Sequence, residues 1–343
     1  MAKFDLSSYT LKDNFLIKAP GPKIKLFSFS QLDEFEKNIE VTCSDEDVKR
    51  RSVAVVKLLK KSGEYRQLKD VPVDFRGKLA RLAQQFPNFS EVIEYIGTAC
   101  EIAVRGDFVI KLAAPILLVG PPGIGKTFFA EELAKFFGSG FESVRYDSAQ
   151  SGSEMSGSSV FWSNCAPGKP FIHLAQSVRE DGELSYANPL FFLDELDKSS
   201  TGPYDPLGPL YGLLDRSAKI FKDLCYSVPI DASHIMYVCA CNDVEKLPTA
   251  LISRFREFEI SVSASQAELI AESIASSLIK ELLPATENMV LDREIFKILS
   301  KHSPRKVRQL LLEAIGRAFA RNSSKVIGED ISSMKTSPRI GFI

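Results

Sequence analysis

The 343 residues, 45% of them hydrophobic, are enough for a sizeable core and long enough for two or three domains. A formal net charge of −1 at pH 7 excludes the strong basic excess of a chain that coats nucleic acid, while leaving room for a local basic patch. The sequence holds no apolar run near the roughly twenty residues that span a bilayer, its start lacks a secretory core, and its six cysteines are scattered without metal spacing, so a reducing cytoplasm is expected.

In chain order, residues 1–85 mix charged and apolar segments, with a helix expected from Asp45 to Lys61, and form an N-terminal extension suited to partner or substrate recognition. A helix from Phe89 to Val104 leads into apolar runs that alternate with helical ones: Ile116 to Val119, Val144 to Tyr146, Leu190 to Leu193, Ile235 to Cys241 and Phe258 to Val262. That alternation predicts an α/β domain over 86–262, a parallel sheet flanked by helices. Cys239 and Cys241 fall inside one of these strands and read as core. Ala267 to Lys280, Asp292 to Lys301 and Arg305 to Asn322 predict a small helical lid over 263–322, and 323–343 reads as a polar tail. His173, His234 and His302 have no second ligand at metal spacing and read as ordinary packed or surface residues.

The chemistry concentrates after the first strand. Gly120-Pro121-Pro122-Gly123-Ile124-Gly125-Lys126-Thr127 has the G-x-x-x-x-G-K-S/T pattern between a strand and a helix. Such a loop turns backbone N–H groups toward phosphates at a helix N-terminus, with Lys126 adding charge and the Thr127 hydroxyl a ligand for Mg²⁺. The strand Leu190 to Leu193 delivers Asp194 and Glu195 to its carboxyl end, where α/β sheets bind ligands. Asp194 is expected to hold Mg²⁺ through a water and Glu195 to polarise the attacking water. Asn242 ends the next strand and is placed to bridge the γ-phosphate and that water. Arg254 reads either as a cation at a helix end or as an arginine finger for a neighbouring subunit.

The order phosphate loop, Asp-Glu strand, Asn strand, Arg and helical lid resembles the AAA+ ATPases. The wording of FFLDELDK (Phe191 to Lys198), LYGLLDR (Leu210 to Arg216), FKDLCYSVPIDASHIMYVCACN (Phe221 to Asn242) and LPTALISRF (Leu247 to Phe255) is similar to the ATPase module of Lon proteases. The resemblance covers 89–322. It implies ATP and Mg²⁺ as cofactors, Asn242 as sensor 1, Arg254 as the arginine finger and Arg305 as the lid's sensor 2, with Arg256 and Arg308 as second choices for the last two roles. It also implies an obligatory homo-oligomer, a hexameric ring or an open helical array, with ATP at subunit interfaces. Phe161 and Trp162 precede Pro167-Gly168 at the spacing of the family's pore loop, which implies a grip on extended polypeptide; the alternative is that they pack beneath a loop. The surrounding segment is small and polar where the family's wording is basic and glycine-containing, and no counterpart of the family's serine-lysine peptidase domain is recognised. The expectation is therefore an ATPase without peptidase activity that unfolds, translocates or remodels proteins, alone or for a separate effector. An ATP-gated oligomeric platform controlling an effector, or a nucleic-acid motor or loader, are the alternatives. The adenine pocket carries no signature beyond apolar residues near Ile96 and Val104.

Overall fold

The structure, a computed structural model, describes residues 9–12, 15–18, 21–43, 45–149, 151–199, 205–283 and 289–332. Two short antiparallel pairs, Tyr9–Lys12 with Phe15–Lys18 and Lys23–Lys25 with Tyr65–Gln67, accompany the first helices, α1 (Phe29–Thr42) and α2 (Glu46–Ser62), which are followed by α3 (Phe75–Gln85) and α4 (Ser90–Arg105). The α2 boundaries follow from its ends. The Asp45 side chain accepts from the N–H groups of Asp47 and Val48, Glu46 and Asp47 occupy the first turn, Lys60 and Lys61 the last, and Gly63 leaves the helix at φ 75°.

Five parallel strands follow: β1 (Ile116–Val119), β2 (Phe141–Arg145), β3 (Leu190–Asp194), β4 (Met236–Cys241) and β5 (Arg256–Glu259), arranged β5-β1-β4-β3-β2. A helix, α5 (Lys126–Phe137), connects β1 to β2. Side chains alternate between the two faces, as the period of two requires. Leu117, Phe191, Leu193, Tyr237, Cys239 and Cys241 join one core with residues of α1 and α2, including Leu32, Ile39, Val56 and Leu59. Ile116, Leu118, Leu190, Phe192, Val238 and Ala240 join the other core with α3, α4 and α5. The sheet is thus buried on both faces, which is why its strands read as continuous apolar runs.

This arrangement revises the expected organisation in three places. Among the described residues of 1–85 most are helical, as expected, yet buried residues from 26 to 59 share a core with the sheet across the expected boundary at 85. Arg66 reinforces the union: it is 1% exposed and donates to the carbonyls of Gly63, Tyr65 and Leu174, so its charge is solvated by backbone rather than water. The last strand is Arg256–Glu259, ahead of the expected Phe258 to Val262: its last ladder bond runs from Ile260 N to Val119 O at 2.7 Å, and Val119 is the final residue of β1, after which Gly120 turns into the phosphate loop. The expected polar tail also begins too early. Lys325–Val326 pairs in parallel with Val290–Leu291, and the short helix Gly328–Ser332 carries Ile331 into the lid core beside Val326. Residues 333–343 lie outside the described residues.

The lid consists of α6 (Ala264–Leu282), α7 (Arg293–Leu299), α8 (Pro304–Ala320) and α9 (Gly328–Ser332) around its own apolar core. Ser263 and Gln266 form a reciprocal capping box that fixes where α6 leaves the sheet domain. Gln266 also donates to Pro87 O at 3.0 Å and Ser273 to Gln85 O at 3.2 Å, tying the lid to the end of α3. Among the described residues, no helix is long and apolar enough to cross a membrane.

Candidate nucleotide site and aromatic turn

The strand register brings the site together. Val119 pairs with Cys241, and Arg145 with Asp194, so the chain leaves β1, β2, β3 and β4 at one edge of the sheet. The phosphate loop rises from β1 there. An added Cβ at Gly120 would collide with Ile260 O, and Gly123 and Gly125 adopt φ 79° and 105°, so the loop's tight course needs glycine at these points. Helix α5 begins at Lys126 with Gly125 as its cap, leaving its first N–H groups free of helical partners and facing an anion's natural seat.

Lys126 is 8% exposed, and its hydrogen bonds go to neutral oxygens: Gly120 O at 2.5 Å, Asn242 Oδ1 at 3.0 Å and Pro121 O at 3.3 Å. Burial lowers its pKa, opposed by Asp194 and the other nearby acids. An anion at the loop would sit directly against this buried ammonium and balance its charge. Thr127 Oγ1 donates to Asp194 Oδ2 at 2.9 Å, while Asp194 Oδ1 accepts from Glu195 N at 2.9 Å. Burial raises the Asp194 pKa despite these two bonds. Two oxygen donors side by side suit a hard divalent cation such as Mg²⁺, which takes its remaining ligands from phosphates and water.

Glu195 adopts the left-handed backbone region at φ 58°, uncommon for a side chain of this kind and frequent at working sites. Its carboxylate is held by Lys198 Nζ at 2.6 Å and Arg145 Nη2 at 3.5 Å, and its buried Oε2 accepts no hydrogen bond among the described residues. Asp197 accepts from Asn242 N at 3.1 Å, locking the end of β4 to the acidic turn after β3. The lid reaches the same place. Arg305 N donates to Gly123 O at 3.3 Å, and an added Cβ at Gly123 would stand 3.3 Å from Arg305 Cβ.

The phosphate loop, Asp194, Glu195, Asn242 and Arg305 are therefore convergent. Arg254 is engaged elsewhere: it bonds to Ala250 O, lies 3.5 Å from Asp215 and stacks over Tyr211 at 5.4 Å. The two second choices are also committed, Arg308 to Glu281 at 2.8 Å and Arg256 to the rings of Tyr95 and Phe258. Arg145 and Lys198 are not singled out by the sequence. The position of Arg145 at the end of a strand neighbouring Asp194 is the signal that marks it.

Phe161 and Trp162 are 81% and 64% exposed, which decides against their packing beneath a loop. Their segment is pinned at its base. Buried Asp223 accepts from the N–H groups of Gly168 at 2.7 Å and Cys225 at 2.8 Å, Leu224 N donates to Ser156 O at 2.8 Å, and Met155 and Cys165 are buried.

The sequence pattern of the ATPase family associated with various cellular activities (AAA) matches residues 116–263, the span of the sheet and its connections. The chain carries an AAA+ ATPase module. It is similar to Lon protease 2 of Thermus thermophilus, 28% identical over 250 residues that cover 69% of this chain and 30% of that protein. It is likewise similar to the Lon protease of Mycoplasma mycoides, 26% identical over 319 residues, 84% of this chain and 39% of that protein. The chain thus spans well under half the length of either relative. A solved structure of the Thermotoga maritima RuvB Holliday junction branch migration motor aligns over 71% of this chain and 67% of that chain, with 16% identity and a TM-score of 0.47. Beyond the matched span, α8 of the lid meets the phosphate loop through the bond from Arg305 N to Gly123 O.

Proposed function

We propose that this chain binds ATP with Mg²⁺ and hydrolyses it within a homo-oligomer, a hexameric ring or open helical array, to unfold, translocate or remodel protein substrates. The observation that carries this reading is the convergence of Lys126, Thr127, Asp194, Glu195, Asn242 and Arg305 from one sheet edge and the lid onto a single loop. Residues 120–127 cradle the phosphates, Lys126 exchanging its carbonyl partners for phosphate oxygens. Thr127 and Asp194 would hold Mg²⁺, which when bound neutralises charge on the phosphoryl oxygens.

Glu195 orients the attacking water through Oε2, which lies 3.5 Å from Arg145 Nη2 and accepts no hydrogen bond among the described residues, and Asn242, once Lys126 releases its Oδ1, aligns the γ-phosphate with that water. Arg305 reports phosphate occupancy to the lid, and Arg254, turned to Asp215 and Tyr211 in its own chain, completes the site of a neighbouring copy. Loss of the γ-phosphate then loosens both contacts, a two-state change driven by the nucleotide. Phe161 and Trp162 grip an extended polypeptide through nonspecific apolar contact.

The test is steady-state ATPase activity with mass photometry, with and without ATP, and with β-casein as an unfolded substrate. The reading predicts turnover by an oligomer, stimulation by casein, and loss of that stimulation in Trp162→Ala; assaying casein length by electrophoresis shows whether cleavage accompanies it. A monomer that binds ATP without turnover in any state contradicts the reading and makes the chain a nucleotide-switched binding module.

A further inference from the structure

Trp162 sits between two consecutive turns, its N–H donating to Ser159 O at 3.0 Å and its carbonyl accepting from Cys165 N at 2.9 Å. Two carbonyls of this segment, Ser163 O and Cys165 O, are both taken by one side chain far away in sequence. Arg51 of α2 donates through Nη2 to Ser163 O and through Nη1 to Cys165 O, each at 2.9 Å, across separations of 112 and 114 residues. Its Nε donates to Asp47 O at 3.4 Å, one turn back on the same helix, so each of the three guanidinium nitrogens is engaged. A planar guanidinium that holds alternate carbonyls fixes both the spacing and the plane of a turn, which a flexible point charge does not.

The anchor itself is rigid. Ser52, Val55, Val56 and Leu59 of α2 are buried, and Val55, Val56 and Leu59 share a core with Cys165 at the foot of the turn. Asp223 secures the base of the segment separately, at Gly168 N, so Arg51 acts on the tip that carries the aromatic pair.

We propose that Arg51 is a positioning residue for the aromatic grip: its two bonds hold the turn in the orientation in which Phe161 and Trp162 meet an extended polypeptide. This rests on the reading of that pair as the substrate contact. It also gives the N-terminal helices a direct mechanical link to the grip, since α2 and the turn move as one body while Arg51 is in place.

Trp162 is the only tryptophan, so intrinsic tryptophan fluorescence of the full chain reports this turn alone. Time-resolved anisotropy and casein-stimulated ATPase are measured on wild type, Arg51→Ala and Arg51→Lys, with far-UV circular dichroism to establish folding. In Arg51→Ala the amplitude of nanosecond motion at Trp162 should rise about twofold. The casein concentration for half-maximal stimulation should rise about tenfold with little change in the maximum, with Arg51→Lys intermediate in both. If Arg51→Ala does not fold, the same direction of change in Arg51→Lys carries the test. Wild-type anisotropy in every folded variant overturns the positioning role whatever the casein response. Increased motion with an unchanged casein response overturns it as well, and Trp162→Ala then separates the causes: retained stimulation in that variant means the grip reading itself has failed.

Discussion

Lys126 finds its partners within its own loop and on the adjacent strand end, at Gly120, Pro121 and Asn242, whereas the turn around Trp162 takes its partners from α2 and from the segment beginning at Asp223. The first region is a contiguous motif whose geometry is set by glycines and a helix N-terminus. The second is a short polar stretch whose own turn bonds, such as those from Trp162 N to Ser159 O and Ser158 N to Ala166 O, are supplemented by remote side chains. A nucleotide site can therefore be carried by a local sequence pattern, while the surface proposed to meet substrate depends on the packing of the whole sheet domain and its N-terminal helices.

The largest expected effect tests the contiguous half. Glu195→Gln removes the carboxylate but keeps the size and the backbone turn, so hydrolysis should fall by about 10²–10⁴-fold while ATP binding persists. A radiolabelled phosphate-release assay beside nucleotide binding measures both; a variant that hydrolyses normally would move the water-orienting role to another group at the sheet edge.

A smaller effect tests the base of the remote half. Burial raises the Asp223 pKa to about 6, outweighing the bonds from Gly168, Cys225 and Tyr226 that lower it. A carboxyl group whose pKa rises on folding takes up a proton when the chain folds, so its contribution to stability is largest at low pH and declines as pH rises through the folded value. Between pH 5 and pH 7 that decline is about 1 kcal/mol. Asp223→Asn should lack it, which urea denaturation at the two pH values resolves. A wild type that gains stability over this interval relative to the variant would mean that the three N–H donors dominate and the carboxylate is held charged.

The phosphate loop, its strand and the acidic pair after β3 are legible in the sequence because each is continuous and each polar residue acts beside its neighbours. The boundary of β5 is not, since the apolar run continues to Val262 while the ladder stops where its neighbour β1 ends at Val119, a limit set by the partner strand and not by β5 itself. The fold of 26–59 against the sheet is hidden for a related reason: the partners of Leu32 and Val56 are strands far along the chain, and helical spacing reveals an apolar face without saying what covers it. Val326, Ile327 and Ile331 are three apolar residues in a polar stretch, too few to show a period, yet Val326 and Ile331 complete the lid core. Arg51 and Asp223 carry no motif at all; only their distances to the turn single them out.

The smallest expected effect concerns what holds α2 in place. Lys60 bridges to Asp33 at 2.9 Å and Glu36 at 2.6 Å on α1, but all three side chains are solvent-exposed. Exposed pairs of this kind contribute little. Lys60→Ala should leave the thermal midpoint within error of wild type, because buried residues such as Val56 and Leu59 fix the helix. A clear drop would shift the explanation from packing to charge.

The most direct test of the central claim, that hydrolysis occurs at a site shared between copies, is a mixing experiment with Lys126→Ala and Arg254→Ala. Each variant alone should be inactive, the first lacking its phosphate lysine and the second the arginine supplied to its neighbour. Mixed oligomers should recover activity, because an Arg254→Ala copy retains an intact phosphate loop and a Lys126→Ala copy presents an intact Arg254 to it. Activity in the mixture well above the sum of the two parts is the predicted result. A mixture no more active than its parts, although mass photometry shows mixed oligomers, would contradict the account.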